Sequence, residues 1–390
     1  MRDPRPNALA AACLLAAAPL ALPAQAVHVV GPGGLPQIRD ALAIAAPGDL
    51  VLVLPGSYAP FQVHVGVTIA AVLPGTVDVT IDPTFLGPCS PCYYAGITSL
   101  APPPGQTLTL VDLAFTSTWV VFQGQYVYPS VVVSGGRVVF EGCTIEVTSA
   151  FFPALSVQHA SVHLQDCTVR GFEQLTGITA LSTLDADITA VGTTITRHAT
   201  IGSLIGFGVG MTNSTLHGSH LALDGDTTAA LSTNNSSVWL TDSMLRGPAG
   251  GCAVAYIGTP PQLDRCVLLP APCGPFLPNA PLLGVQRPHP PRAGLPFSLL
   301  FHTVPNGFVA VFANTALDTV LLPGLFDQPL GIAPAGAFGL GIVLADAAGV
   351  ATATWTIPAG TTVGRQVWFQ GVTGLVLPLQ TSPPVGGAIR

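Results

Sequence analysis

The chain has no lysine, three glutamates (Glu141, Glu146 and Glu173) and only 8% charged residues. Without basic clusters it has nothing to release counterions from a phosphate backbone, which argues against a nucleic-acid partner. Aromatic residues are also scarce, at 7%. Beyond the N-terminus no stretch stays apolar for the roughly 20 residues a membrane helix needs. Runs such as Leu330 to Ala345 are interrupted by Pro334 and several glycines. What fills the chain instead is Val, Ile, Leu and Ala scattered between Gly, Pro, Thr and Ser. That mixture is typical of an all-β protein with many short strands and turns.

The N-terminus reads as an export signal. Arg2 and Arg5 precede a charge-free apolar run from Ala8 to Leu22, and Ala24-Gln25-Ala26 has the small-x-small form of a cleavage site. The expected mature chain begins at Val27, has 10 arginines against 18 acids for a net charge of −8, and is secreted or displayed at the cell surface with no transmembrane span. Seven cysteines remain after cleavage: Cys89, Cys92, Cys143, Cys167, Cys252, Cys266 and Cys273. An odd number in an oxidising compartment leaves at least one unpaired or paired between chains. The Cys89-Ser90-Pro91-Cys92 spacing lacks a thioredoxin-like surround and a second pair to complete a metal tetrad. A local disulfide or loop constraint is the preferred reading, and no metal site is assigned.

An irregular repeat runs from about residue 108 to 268. Each copy has two inward-reading positions, a two-residue break, and two more positions at a spacing of two. Written out, the copies are Leu108, Leu110, Leu113, Phe115; Val138, Phe140, Cys143, Ile145; Val162, Leu164, Cys167, Val169; Ile188, Ala190, Thr193, Ile195; Val209, Met211, Ser214, Leu216; Val238, Leu240, Ser243, Leu245; and Pro261, Leu263, Cys266, Leu268. Steps between third positions are 30, 24, 26, 21, 29 and 23 residues. A period of two is that of a strand. The second break residue is Asp112, Gly142, Asp166, Gly192, Asn213, Asp242 or Arg265, and six of these seven tolerate a left-handed backbone. Strand, tight corner and strand, recurring every 21 to 30 residues, describe rungs of a coil whose like strands stack into parallel sheets. Cys143 and Cys167 should then lie one above the other as buried thiols.

This pattern, with the segment Ala41 to Tyr58 ending GDLVLVLPGSY, resembles the right-handed parallel β-helix superfamily that includes the pectate lyases. The resemblance implies a capping helix at Leu35 to Ala45, a strand at Asp49 to Leu54 and a turn at Pro55-Gly56. It covers residues 27–268 and speaks for fold, since the scaffold serves lyases, hydrolases, adhesins and proteins without known chemistry. Residues 269–296, crowded with proline, read as an ordered linker. Residues 297–390 read as a small β-sandwich with strands such as Phe308 to Ala313, Phe338 to Leu344, Ala351 to Ile357 and Gln366 to Phe369. The stretch from Asp346 through Gly349 to Ile357 resembles C-terminal sandwich modules of secreted bacterial repeat proteins, which implies display or attachment. The expected fold class is all-β: a right-handed parallel β-helix followed by a small β-sandwich.

Chemistry is harder to find. Asp185 with Asp187, and Asp224 with Asp226, are the closest acidic pairs and the catalytic candidates, although aspartates at coil turns ordinarily cap backbone amides. An outward column read as Glu146, Arg170, Thr196, His217, Arg246 and Leu269 offers Arg170, His217 and Arg246 as ligand-binding candidates for a uronic or sulfated polysaccharide. Its neighbour reads Ala114, Thr144, Thr168, Thr194, Thr215, Met244 and Val267. The expected function is non-catalytic: contact with extracellular polysaccharide, or an envelope structural module. The alternative is a polysaccharide lyase or glycoside hydrolase acting on an acidic polysaccharide. No cofactor is expected, with calcium only under the lyase alternative.

Overall fold

The computed structural model describes residues 25–80, 98–118, 120–122, 125–127, 130–149, 153–173, 179–199, 206–270 and 281–390. Residues 1–24, which carry most of the expected signal, and Cys89, Cys92 and Cys273 lie outside them.

Three parallel sheets wind around one core. Sheet A has ten strands, from Val27–Val30 to Gln262–Asp264; sheet B has nine, from Gly56–Tyr58 to Val267–Leu269; sheet C has eight, from Gln62–Val63 to Val254–Ile257. One coil shows the path. Ser161–Gln165 lies in sheet A, Asp166 turns the corner, Thr168–Glu173 lies in sheet B, Leu181–Leu184 in sheet C, and Asp185 turns the chain back to Asp187–Val191 in sheet A. The protein is a parallel β-helix.

Alternation explains why these residues form these strands. Val138 and Phe140 point inward and are fully buried, as are Leu108 and Leu110 one rung below and Leu164 above. Each such aliphatic side chain contributes about 1.5–3 kcal/mol of burial. Cys143 and Cys167 do stack, on rungs whose strands pair Thr144 with Thr168. Both are free and buried, and burial pushes the Cys143 thiol up to about 12.

From Gly105 onward, left-handed corners occur at two edges of every coil. At the edge from A to B they are Asp112, Gly142, Asp166, Gly192, His220, Asp242 and Arg265; at the edge from C to A they include His159, Asp185, Asn213 and Asn235. This corrects the fifth repeat. Asn213 is a left-handed corner as expected, with φ of 48°, but it belongs to the C-to-A edge. Thr194 pairs with Ala222, so the true A-to-B corner of that coil is His220, and Leu221 is the residue that follows it. The two columns share residue types, Asp and His among them, so residue type alone does not tell one edge from the other.

The cap also differs in detail. The helix is one turn, Ile38–Leu42, because Leu35 is held in a parallel bridge to Val30 and its N–H donates to Val29. Ile38 and Ala41 close the end of the core. Before the expected first strand, which spans Leu50–Val53, Val27–Val30 adds another to sheet A. Asp49 ties the two, accepting from the Ala26 and Ala46 amides and His28.

The C-terminal part is antiparallel. Gly284–Gln286, Pro296–His302 and Val350–Thr356 form one sheet; Phe338–Leu344, Phe308–Asn314, Gln366–Thr373, Gln380–Thr381 and Val385–Ala388 form another. Phe297, Leu299 and Phe301 from the first meet Val309, Val311 and Phe369 from the second in a shared core. The Asp346 turn is closed by its carboxylate, which accepts from the amides of Ala348 and Val350.

These sheets cover the outer face of sheet A. Trp368, fully buried, packs on Val139 and lies edge-on to His163 with ring centroids 4.8 Å apart. Val191 of sheet A belongs to the second core. The proline-rich stretch takes part as well: Gly284–Gln286 pairs with the strand ending at His302, and Arg287 is buried.

Candidate functional site

The covered face is held at the A-to-B corner column. Arg287 reaches Glu141 at 2.9 Å and Asp166 at 2.5 Å, with side-chain exposures of 2% for Arg287 and 0% for Glu141. The Ala388 amide donates to Glu141 at 2.8 Å, and Arg390 reaches Asp112 at 2.8 Å. Burial would lower the Arg287 pKa, but Glu141 and Asp166 hold it above its ordinary value. Burial raises Asp112, against the opposing pull of Arg390. A Cβ at Gly387 would stand 2.3 Å from the Glu141 carboxylate, so only glycine lets this strand approach so closely. Residues that sequence reasoning selects as corners thus also form a seam. No local signal marks this role, because the partners are more than 100 residues away.

Further along the same seam, His220 and Asp242, corners of consecutive coils, meet His302 at the end of its strand. One ligand atom from each lies within 4.8 Å of the others. Arg265 grips Asp242 through Nε at 2.8 Å and Nη2 at 3.1 Å. No repeat or spacing in the sequence joins these three residues.

The sequence-based candidates fall elsewhere. Asp185 lies 3.5 Å from His159, and Asp187 accepts from the Thr215 hydroxyl at 2.7 Å. Asp224 accepts from the Asp226 amide at 2.8 Å and lies 3.9 Å from Arg246, while Asp226 accepts from the Ala199 amide at 2.9 Å. Three of the four therefore hydrogen-bond to neighbouring coil or turn, and Asp185 faces a histidine.

The outward column changes with the register. On sheet B it runs Thr116, Glu146, Arg170, Thr196, Asp224, Arg246 and Leu269. His217 is not part of it. It lies on sheet A between Thr189 and Trp239, 3% exposed, and burial lowers its pKa to about 3. Asp224 stands in its place, so each arginine has an acid on an adjacent rung: Glu146 lies 3.4 Å from Arg170 and Asp224 3.9 Å from Arg246. The threonine column is likewise Ala114, Thr144, Thr168, Thr194, Ala222, Met244 and Val267, since Thr215 lies on sheet A.

A cleft of about 450 Å³ opens where the two parts meet, lined by Gln106, Gly136, Arg137, Leu317, Asp318 and Ala333 among others. Its charges are paired, with Arg137 2.9 Å from Asp318. Among the described residues no helix is long and apolar enough to cross a membrane.

In comparison with known proteins, the chain matches no protein-family model and no curated protein. The class is therefore that of the fold: a parallel β-helix carrying antiparallel C-terminal sheets.

Proposed function

We propose that this chain is an exported, non-catalytic β-helix that contacts extracellular polysaccharide through the open outer face of sheet B. The C-terminal part serves as an attached sandwich module, and the kinship with pectate-lyase-like proteins is one of scaffold. One observation carries the reading: the paired acids that would do lyase or hydrolase work are occupied by structural partners, whereas the rungs from Glu146 to Arg246 remain partly open to solvent. Acid–base cleavage needs convergent carboxylates free to take and give protons. A ladder of arginine, acid and threonine on successive rungs instead suits a repeating chain with carboxylate or sulfate groups, which arginine engages in bidentate fashion.

The test is a binding screen of the mature chain against uronic, sulfated and neutral glycans, with product analysis. Retention of acidic glycans without new chain ends is expected. Appearance of unsaturated or reducing ends would replace this reading with an enzyme, and no retention of any glycan would leave the envelope structural role.

A further inference from the structure

We propose that His220, Asp242 and His302 form a site for a divalent transition-metal ion that ties the C-terminal sheets to the β-helix. Two imidazoles and one carboxylate are a donor set for zinc, nickel, cobalt or copper rather than calcium or magnesium. Three protein ligands also leave a coordination position for water.

The geometry requires only small side-chain rotations. The three ligand atoms lie within 4.8 Å of one another, and metal bonds of about 2.0–2.2 Å would draw them to roughly 3.4 Å. His220 and Asp242 belong to rigid corners on adjacent rungs, the His220 amide donating to Thr241 at 3.1 Å. His302 ends a strand paired on both sides, to Gly284 and to Val350.

Outer partners are already in place. Arg265 holds both oxygens of Asp242 and also donates to the main-chain oxygens of Leu282 and His302, which fixes the carboxylate while leaving lone pairs for a metal. Ser219 Oγ lies 2.9 Å from His220 Nδ1, a partner that orients the ring and directs Nε2 to the ion. The Val285 main chain also bonds this ring, and the ion must displace that contact if it falls on the ligand nitrogen.

Two further features of the cluster favour a cation. The His302 imidazole makes no hydrogen bond among the described residues: Nδ1 is 3.8 Å from Asp242, and Nε2 is buried without a partner. The nitrogen that faces Asp242 therefore has no hydrogen bond for an ion to displace, and it stands beside a carboxylate and a second imidazole. Asp242 and Asp264 against Arg265 also leave one negative charge for a cation to offset.

The test uses the tag-free full chain stripped with chelator, titrated near pH 7.5 with Zn²⁺, Ni²⁺ and Ca²⁺ by calorimetry. Zinc and nickel should bind one per chain and raise Tm, calcium should do neither, and Co²⁺ should give the visible absorption of a histidine-ligated site without any mutation. His220→Gln and His302→Gln should each weaken zinc by about tenfold or more, while His64→Gln, an exposed histidine elsewhere, should not. Folding of each variant is checked by circular dichroism. Absence of zinc binding by the wild type, or a Co²⁺ spectrum without histidine character, overturns the site. So does unchanged affinity in both folded variants. The result does not depend on glycan binding, so either proposal can fail alone.

Discussion

Sheets A and B are built from the same coils, yet their outer faces have opposite fates. On sheet A the outward column Thr109, Val139, His163, Thr189 and His217 lies under the C-terminal sheets, and Val139, His163 and His217 are almost fully buried. On sheet B the column from Glu146 to Arg246 keeps its charges partly in water. Parallel pairing and inward packing are common to both sheets, so the difference comes from what stands outside. A covered face turns its polar residues into buried ion pairs and neutral histidines; an open face leaves them as screened ladders.

Breaking the buried pair should have the largest effect. Glu141→Ala removes the fully buried one of the two carboxylates that hold Arg287, leaving only the more exposed Asp166, and should cost about 3–5 kcal/mol in urea unfolding. The matched change on the open face, Glu146→Ala, should cost under about 1 kcal/mol. Similar losses at the two positions would erase the contrast between the faces.

Acid should act next. His163 and His217 have folded pKa values of about 3, below the ordinary 6.5, because burial disfavours their charged forms. Their contribution is therefore complete above pH 6.5 and is lost as pH falls toward 3, since only the unfolded chain takes up the protons. Between about pH 5.5 and 4.5 each should remove about 1.4 kcal/mol. A folded His163→Asn variant should show a shallower pH dependence in that window; an unchanged slope would mean His163 is not held neutral.

A corner should come third. Gly192 has φ of 63°, and a Cβ there would stand 2.4 Å from Asp166 Oδ1. Gly192→Val should cost about 1–3 kcal/mol, and Thr194→Val, outward on sheet B, under about 0.5. Equal effects would mean that the corner does not demand glycine. The smallest effect on stability belongs to Arg246→Ala, under about 0.5 kcal/mol, with acidic-glycan retention reduced. Unchanged retention would remove Arg246 from the contact face.

Much of the fold was legible locally. The strands Phe308–Asn314, Phe338–Leu344, Val350–Thr356 and Gln366–Thr373 fall on the expected segments within a few residues, because alternation and turn residues are properties of short windows. The coils were legible for the same reason, apart from one slip. Asn213 and His220 are seven residues apart, and both occupy left-handed corners. Only strand pairing decides which edge each one turns, and with that decision His217 moves from the open face to the covered one and Asp224 replaces it.

The sequence by itself determined the period-two rungs, the left-handed corners, the buried stacked thiols and the antiparallel C-terminal strands, because each depends on residues near one another in the chain. The tertiary structure alone decided that the proline-rich stretch contributes a strand and a buried arginine, and that the corner acids form a seam. It also decided that His302 arrives beside His220 and Asp242. Glu141 and Arg287 are 146 residues apart, and no periodicity in a linear sequence records a contact made by folding the C-terminal sheets back onto the side of the β-helix.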